Sequence, residues 1–309
     1  MTEPVQPSQF AGLPGEESGL PAQAEVDKAP DPVTAVRWWR EHWRNLAWIG
    51  QAERDDDEPW ALPLVVRVEK ASLPTHEDAL AASALAVVRL LADPDSAPGG
   101  PWHAGLERWM DGRIRKVVRR ARGIRWTEVE RLPGLTARSG GAEVRALAPH
   151  PVARPPVEVS KLQVEGLDLA HAEGAEAERR GAAERPGGVE QWGDAEHAAE
   201  AEQSGDAEPA GRPVLSIMLA PGVRMSTGKA CAQVGHAAHL ALLELDDETV
   251  AAWASADFPL RITTATPDRW GRIVDGEVAA ATVRDAGYTE VEPGTCTCAA
   301  TFDPPGLAP

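Results

Sequence analysis

Residues 170 to about 212 form an acidic segment, rich in Ala, Glu and Gly, that divides the chain into two parts. The segment has almost no large apolar side chains, so burial cannot offset the entropy lost on ordering it. We therefore predict a disordered linker between two globular units. The predicted organisation is a disordered tail at 1–31, a Trp-rich helix at 32–57, a first unit at 58–169, the linker at 170–212, a second unit at 213–305 and a tail at 306–309.

The length of 309 residues suffices for two modest domains with separate cores. No apolar run is long enough to span a bilayer, and the first ten residues lack the basic start and apolar core of a signal peptide. We therefore expect a cytoplasmic protein with no membrane partner. The formal net charge of −17 argues against a nucleic-acid partner, but the charge is distributed unevenly along the chain.

The three cysteines are Cys231, Cys296 and Cys298, too few and too clustered for a disulfide framework. A zinc site would need a fourth ligand and a paired spacing that this sequence lacks. The sequence therefore favours three reduced thiols that act as small apolar residues.

Hydrophobic periodicity predicts an α/β architecture in both units. A helix begins at Asp31-Pro32, with Asp31 as its N-cap, and runs to about Gly50. For the first unit the predictions are a strand at Leu62–Val68, a helix at Glu77–Leu91, a loop at Asp93–Pro101, a strand at Ala142–Ala148 and an edge strand at Val157–Leu169. For the second unit they are a strand at Val214–Leu219, a helix at Gly228–Glu244, a strand at Pro259–Thr264, a helical turn at Arg269–Val274 and a closing strand at Thr295–Phe302.

The two units also resemble each other when the sequence is shifted by 152 or 153 residues. The shift of 152 places Leu64-Val-Val on Ser216-Ile-Met and Leu90-Leu91 on Leu242-Leu243. We therefore predict one fold present twice, which allows an intramolecular pseudo-dimer or a homodimer. The polar residues described next do not repeat: Lys229, Gln233, His236 and Asp285 fall on Glu77, Ala81, Ala84 and Leu132.

The first candidate motif lies at the start of the second unit's long helix, between Met225 and Ala238. Lys229, Gln233 and His236 stand at i, i+4 and i+7, so the three side chains share one helical face. Small residues between them allow close packing. A stripe of cation, amide and imidazole is typical of a functional site, and a polar face that simply meets water is the alternative interpretation.

The second candidate motif runs from Arg284 to Thr297. Asp285-Ala-Gly287 predicts a tight turn that presents a carboxylate and then Thr289, and Pro293-Gly294 predicts a second turn before the strand that carries Thr297. A carboxylate, hydroxyls, a lysine, an amide and an imidazole would together suit activation of a water and stabilisation of an oxyanion in ester hydrolysis.

Together the two motifs resemble the type II peptidyl-tRNA hydrolase family, over residues 213–305. The elements that carry the resemblance are Gly228-Lys229, Gln233, His236-Ala237, Asp285-Ala-Gly287, Thr289, Pro293-Gly294 and Thr297. The resemblance implies a mixed four-stranded sheet flanked by helices, with a degenerate second copy at about 60–152. It also implies hydrolysis of the ester between a peptide and tRNA, with peptidyl-tRNA as the partner and no metal or organic cofactor.

The resemblance also implies roles for individual residues. Asp285, assisted by Thr289, would orient or deprotonate the attacking water, and Lys229 would hold phosphate or developing negative charge. His236 would hydrogen-bond to Asp285 or tune it. The residues expected to bind and position substrate are Gly228, Gln233 and Thr297.

Two features leave a rival interpretation open. Tyr288 and Glu290 stand where the family often has Arg and Gln, and the second unit carries six Lys/Arg against twelve Asp/Glu. A non-catalytic RNA- or protein-binding module on a duplicated hydrolase fold is therefore the main alternative, and hydrolysis of another ester or amide is a third.

A basic run in the first unit reconciles this acidity with an RNA substrate. Residues 113–125 hold seven cationic side chains in thirteen, and they could supply phosphate contacts that the second unit lacks. The alternative is a solvated strand and helix surface. The candidate RNA contacts are Arg113, Arg115, Lys116, Arg119, Arg120 and Arg122.

Overall fold

The computed structural model describes residues 31–45, 58–172, 212–278, 280–287 and 290–303, which form two mixed sheets flanked by helices. The first unit, preceded by helix α1 (Pro32–Asn45), comprises β1 (Trp60–Arg67), α2 (His76–Ala92), α3 (His103–Met110), β2 (Arg115–Ala121), α4 (Ile124–Glu130), β3 (Gly134–Ser139), β4 (Ala142–Leu147), β5 (His150–Pro151) and α5 (Val157–Ser160). The second comprises β6 (Val214–Leu219), α6 (Thr227–Glu244), α7 (Asp247–Ser255), β7 (Leu260–Thr264), α8 (Pro267–Val274), β8 (Ala281–Arg284) and β9 (Cys296–Asp303).

The two sheets share one strand order. The first sheet reads β2-β1-β4-β3, with β5 beside β1, and the second reads β7-β6-β9-β8. β1 pairs in parallel with β2 and antiparallel with β4, and β6 likewise pairs in parallel with β7 and antiparallel with β9. The predicted mixed four-stranded sheet flanked by helices is therefore present twice, with β5 as an addition to the first sheet.

The N-caps of the two long helices correct the predicted alignment of the first unit's sequence with that of the second. Thr75 caps α2 by accepting a hydrogen bond from the backbone N–H of Asp78, and Ser226 caps α6 in the same way with Lys229. The caps therefore correspond at a shift of 151, so Asp78, rather than the predicted Glu77, is the counterpart of Lys229. The same register pairs Gln233, His236 and His239 with Ala82, Leu85 and Val88.

Helices α2 and α6 pack against each other in parallel and join the two units. The Thr227 hydroxyl lies 2.9 Å from Nδ1 of His76, and the Cys231 thiol lies 3.5 Å from the carbonyl oxygen of Ala79. Further along, a Cβ at Gly235 would lie 3.2 Å from the Val87 side chain, so glycine permits the close approach. Apolar residues from both units form one continuous core around this pair of helices.

Helix α1 covers this pair and also reaches α7. The backbone N–H of Val33 donates to the Asp31 carboxylate at 3.0 Å, which confirms the predicted N-cap. Trp39 is fully buried, and the Arg40 guanidinium bonds the Leu245 carbonyl and the Asp247 carboxylate. The predicted end of this helix near Gly50 lies outside the described residues, as do 1–30, 173–211 and 304–309.

The prediction of an edge strand at Val157–Leu169 is wrong. The segment begins as the short helix α5 and continues as irregular chain, with a single bridge between Gln163 and Arg120. Two prolines precede it and cannot donate to a strand ladder, and Gly166 turns the chain at φ +72°. Four apolar residues of the segment are buried, at irregular spacing, namely Val159, Leu162, Leu167 and Leu169, whereas Val157 and Val164 are exposed. Among the described helices, none is long and apolar enough to cross a membrane.

Candidate active site

The second motif is tied to the start of α6 by Glu290, a carboxylate that the sequence marks only as a difference from the family pattern. Both oxygens of Glu290 accept hydrogen bonds from Ser226, one from its backbone N–H and one from its hydroxyl, each at 2.7 Å. Ser226 is also the N-cap of α6, so Glu290 places negative charge at the positive end of the helix dipole. This pairing fixes the loop after β8 against the helix that carries Lys229.

Asp285 directly follows β8 and is buried, with 7% of its surface exposed. Its Oδ2 atom accepts from the Lys229 ammonium and, at 2.7 Å, from the side-chain amide of Gln233. Its Oδ1 atom accepts from the backbone N–H of Gly287 at 2.8 Å. Three donors from two elements therefore hold the carboxylate in one orientation.

Thr297 on β9 extends this chain of hydrogen bonds. Its hydroxyl lies 2.6 Å from Oε1 of Gln233 and 3.3 Å from the Val283 carbonyl, so the shorter contact is its main bond. Because Thr297 donates to the amide oxygen, the amide nitrogen of Gln233 faces Asp285. Gln233 and Thr297 are both buried. The two residues position the carboxylate.

The turn after Asp285 depends on Gly287. This residue has φ +78°, and a Cβ there would overlap the ring of Pro293. The Asp285 carbonyl accepts from the N–H of Gly294 at 2.7 Å, and its own N–H donates to the Thr295 carbonyl at 2.9 Å. The two predicted turns therefore pack together and present the carboxylate. Tyr288 and Thr289, which lie between them, are outside the described residues.

His236 faces a different neighbour from the one expected. Its Nδ1 atom lies 3.3 Å from the Lys116 ammonium nitrogen, and Nδ1 of His239 lies at the same distance from that nitrogen. Lys116 comes from β2 of the first unit and also sits over the Trp109 ring, 4.7 Å from its centroid. The structure therefore places His236 beside the first unit, where it forms no hydrogen bond with Asp285.

The cluster of Lys116, His236 and His239 is electrostatically unusual because it contains three basic groups and no carboxylate. Burial, reinforced by repulsion from Lys116, lowers the pKa of both histidines well below the ordinary value, and burial alone does the same to the pKa of Lys116. The Lys116 side-chain nitrogen lies within hydrogen-bond distance of the Nδ1 atoms of both rings.

The prediction that Lys116 contacts RNA is wrong, because the residue is buried, with 8% of its surface exposed. Arg119 donates to the Leu162 carbonyl at 3.2 Å and Arg120 to the Gly166 carbonyl at 2.9 Å, so both brace the segment after α5. Arg113 and Arg122 are exposed, and Arg115 is half-buried.

The predicted substrate contact at Gly228 is already engaged. Its backbone N–H donates to the Leu167 carbonyl at 3.0 Å. The Thr227 hydroxyl accepts from the N–H of Leu169 at 2.9 Å, so the segment that leaves the first unit crosses the start of α6. This crossing depends on contacts between the units, and no local sequence signal points to it.

The thiols behave as buried apolar groups. Cys231 and Cys298 are fully buried and Cys296 is half-buried. Burial raises the pKa of Cys231 to about 12 and also raises the pKa of the other two thiols. Within the described residues, no group of three or more His, Cys, Asp or Glu side chains could hold a metal ion.

Comparison with known proteins agrees with the resemblance over the second unit. Residues 214–305 match the model of the family described as peptidyl-tRNA hydrolase PTH2. No curated protein and no solved structure matches the chain. The matched range contains the four residues that the structure brings together, Lys229, Gln233, Asp285 and Thr297. The second unit is therefore the part of the chain that matches the peptidyl-tRNA hydrolase PTH2 family, over residues 214–305.

Proposed function

We propose that this chain hydrolyses the ester bond between a peptide, or an N-blocked amino acid, and tRNA. The observation that carries the proposal is the buried Asp285 carboxylate, held by Lys229, Gln233 and Gly287 inside the PTH2 domain. A carboxylate offers about four acceptor sites, and three are occupied here. The remaining site is suited to a water that attacks the ester.

In the proposed reaction Asp285 accepts a proton from this water while the water oxygen bonds to the ester carbonyl carbon. The negative charge that develops on the carbonyl oxygen is stabilised by Lys229. Collapse of the tetrahedral intermediate breaks the bond to the ribose oxygen, which takes back the proton from Asp285. The products are the free peptide acid and the tRNA hydroxyl.

The other predicted residues keep narrower proposed roles. Gln233 and Thr297 position the carboxylate, and Thr289 is proposed to assist the water. His236, which is half-buried, is proposed to line one side of the site, because its Nδ1 atom faces Lys116. A function on tRNA would place the chain in the cytoplasm, and the parallel contact of α2 and α6 supports an intramolecular pseudo-dimer that arose by duplication.

The test is release of N-blocked aminoacyl groups from tRNA by the wild type, Asp285→Ala and Asp285→Asn. We expect the wild type to turn over and both variants to lose about 10²- to 10⁴-fold in rate, the usual size of a general-base contribution. Asp285→Asn keeps the volume of the side chain and serves if Asp285→Ala fails to fold. Equal rates in the wild type and Asp285→Asn would contradict the proposed base.

One observation favours the rival function of a non-catalytic RNA- or protein-binding module. The start of α6 is covered by the segment at Leu167–Leu169, which takes up the Gly228 N–H. A wild-type protein that binds tRNA and releases no aminoacyl group would support this second function.

A further inference from the structure

The first unit contains a cationic cavity that the hydrolytic site does not use. The cavity has a volume of about 450 Å³ and lies where β1 and β2, which are parallel, both end. Five of the residues that line it are cationic: Lys70, Arg120, Arg122, Arg125 and Lys161. A neighbouring cavity of about 520 Å³ shares Lys70 and Arg122 with the first. We call the two together the cationic groove.

Most of this positive charge is not neutralised within the described structure. Lys70, Arg122 and Lys161 are exposed, and their side chains form no hydrogen bond or ion pair with another described residue. Arg125 pairs with Glu128 at 2.8 Å, and Arg120 donates to a backbone carbonyl.

The groove also contains one acidic residue, which is already engaged. Glu69 lines the second cavity, and its carboxylate accepts from Arg67 at 3.2 Å and from the N–H of Gly123 at 2.9 Å. The groove therefore keeps a net positive charge within an acidic chain, which favours an anionic ligand.

The position of the groove links it to the proposed active site. Asp285 follows β8, and β8 runs parallel to β6 because both are antiparallel to β9. The groove follows the C-terminal end of β1, and the site follows the C-terminal end of β8. The two therefore lie at corresponding ends of two sheets that have the same strand order. Gln163 lines the groove, and Leu167 accepts from Gly228 at the start of α6. These two residues are four apart, which limits their separation to about 14 Å.

The shape of the groove favours a chain of phosphates over a single phosphate group. Two adjoining concavities share their cations, so the positive charge extends beyond what one phosphate would fill. Leu73, which lines the first cavity, is 62% exposed, and Ile124 beside the second is 70% exposed. Exposed apolar side chains next to cations suit a ribose or an unstacked base beside its phosphate.

We propose that the cationic groove of the first unit binds the phosphodiester backbone of the RNA whose ester is cleaved in the second unit. The proposal rests on the proposed function for the identity of that RNA. It adds Lys70 and Lys161, neither of which belongs to the basic run, and it assigns the first unit the task of holding the substrate.

The test uses the full chain and charge reversal of the exposed cations. Arg122→Glu and the triple variant Lys70→Glu/Arg122→Glu/Lys161→Glu are compared with Arg108→Glu, a matched control. Arg108 is exposed on α3, near the opposite end of β2, and its reversal changes the net charge by the same amount as that of Arg122. Melting temperatures establish that the variants fold. The probes are uncharged tRNA, inorganic phosphate and an N-blocked amino acid esterified to a single nucleoside.

We expect tRNA affinity at 0.1 M salt to fall about five-fold for each phosphate that is no longer paired with a cation, with a salt slope lower by about 0.7 per phosphate. Arg108→Glu should match the wild type. Cleavage of the nucleoside ester should be unchanged in every variant, because this substrate contains no phosphodiester for the groove to bind. Retained groove-dependent tRNA binding by a protein that cleaves neither substrate would sink the hydrolase assignment and still support the groove.

Two outcomes overturn the proposal. One is tRNA affinity and salt slope that are the same in the triple variant as in the wild type. The other is a loss of inorganic phosphate binding in the triple variant with unchanged tRNA binding, which would make the groove a site for a small phosphorylated ligand.

Discussion

Replacing Thr297 by valine tests whether the hydroxyl acts on catalysis through Gln233. The substitution removes the 2.6 Å bond to the Gln233 amide and keeps the shape of the side chain. A buried neutral hydrogen bond contributes about 1 kcal/mol, and leaving its acceptor unpaired costs about 1–3 kcal/mol. We therefore expect an activation barrier higher by about 1–2 kcal/mol, which corresponds to a rate about 5- to 30-fold lower.

Gln233→Met removes the donor to the carboxylate itself. Hydrogen bonds to charged groups contribute about 1.5–3 kcal/mol, so the expected loss in rate is about 10- to 150-fold. If Thr297 acts only through Gln233, the double variant Gln233→Met/Thr297→Val should be no slower than Gln233→Met alone. The two effects then do not add, as expected for residues in one network.

The assay is single-turnover release of an N-blocked aminoacyl group from tRNA, with tRNA affinity measured separately. Thr301→Val is the matched control, because Thr301 lies on the same strand and is buried with a hydroxyl that has no hydrogen-bond partner among the described residues. Its rate should stay within about two-fold of the wild type. Additive effects of Gln233→Met and Thr297→Val, or equal rates for the two valine variants, would refute the reasoning.

Three further predictions concern the turn, the cluster between the units and the thiols. Gly287→Ala should lower both melting temperature and turnover, since its φ of +78° costs a side chain about 1–2 kcal/mol before the overlap with Pro293; an unchanged melting temperature would contradict the required turn. Because burial lowers the pKa of Lys116, unfolding takes up a proton, and the free energy of unfolding should decrease as the pH falls below about 10.4. Denaturation at a series of pH values should show a weaker pH dependence in Lys116→Met. In the native protein Ellman's reagent should react slowly with the half-buried Cys296 and not with Cys231, and rapid labelling of Cys231 before unfolding would show that its burial is wrong.

Much of the second unit follows from local pattern. Strand β6 and helix α6 agree with their predicted bounds to within one residue, because a continuous apolar run and a capped amphipathic stretch are strong local signals. Strand β8 has no such signal, since only four residues form it and its order comes from pairing with β9. The strand prediction at Val157–Leu169 fails because the apolar residues that are buried there are irregularly spaced, and Val157 and Val164, which the alternation includes, are exposed.

The candidate site is predictable in part for the same reason. Lys229 and Gln233 share a helical face, and the turn residues place Asp285 and Thr297 at one edge, so their convergence depends on local geometry and strand order. The partner of His236 is not predictable in this way. Lys116 is distant in sequence and reaches His236 only through the packing of α6 on the first unit, which no pattern within either motif encodes.

Because the two units belong to one chain, the contact between them does not have to be symmetric. In a dimer of identical subunits, every residue at the contact appears twice, so a basic residue on one side must also be accommodated on the other. Here His236 and His239 lie on α6, whereas the corresponding positions on α2 are the apolar Leu85 and Val88. The contact between the units can therefore contain a single cluster of one lysine and two imidazoles, with no symmetric copy of it. Because both halves share one backbone, dilution should not separate them, and activity per molecule should be independent of protein concentration.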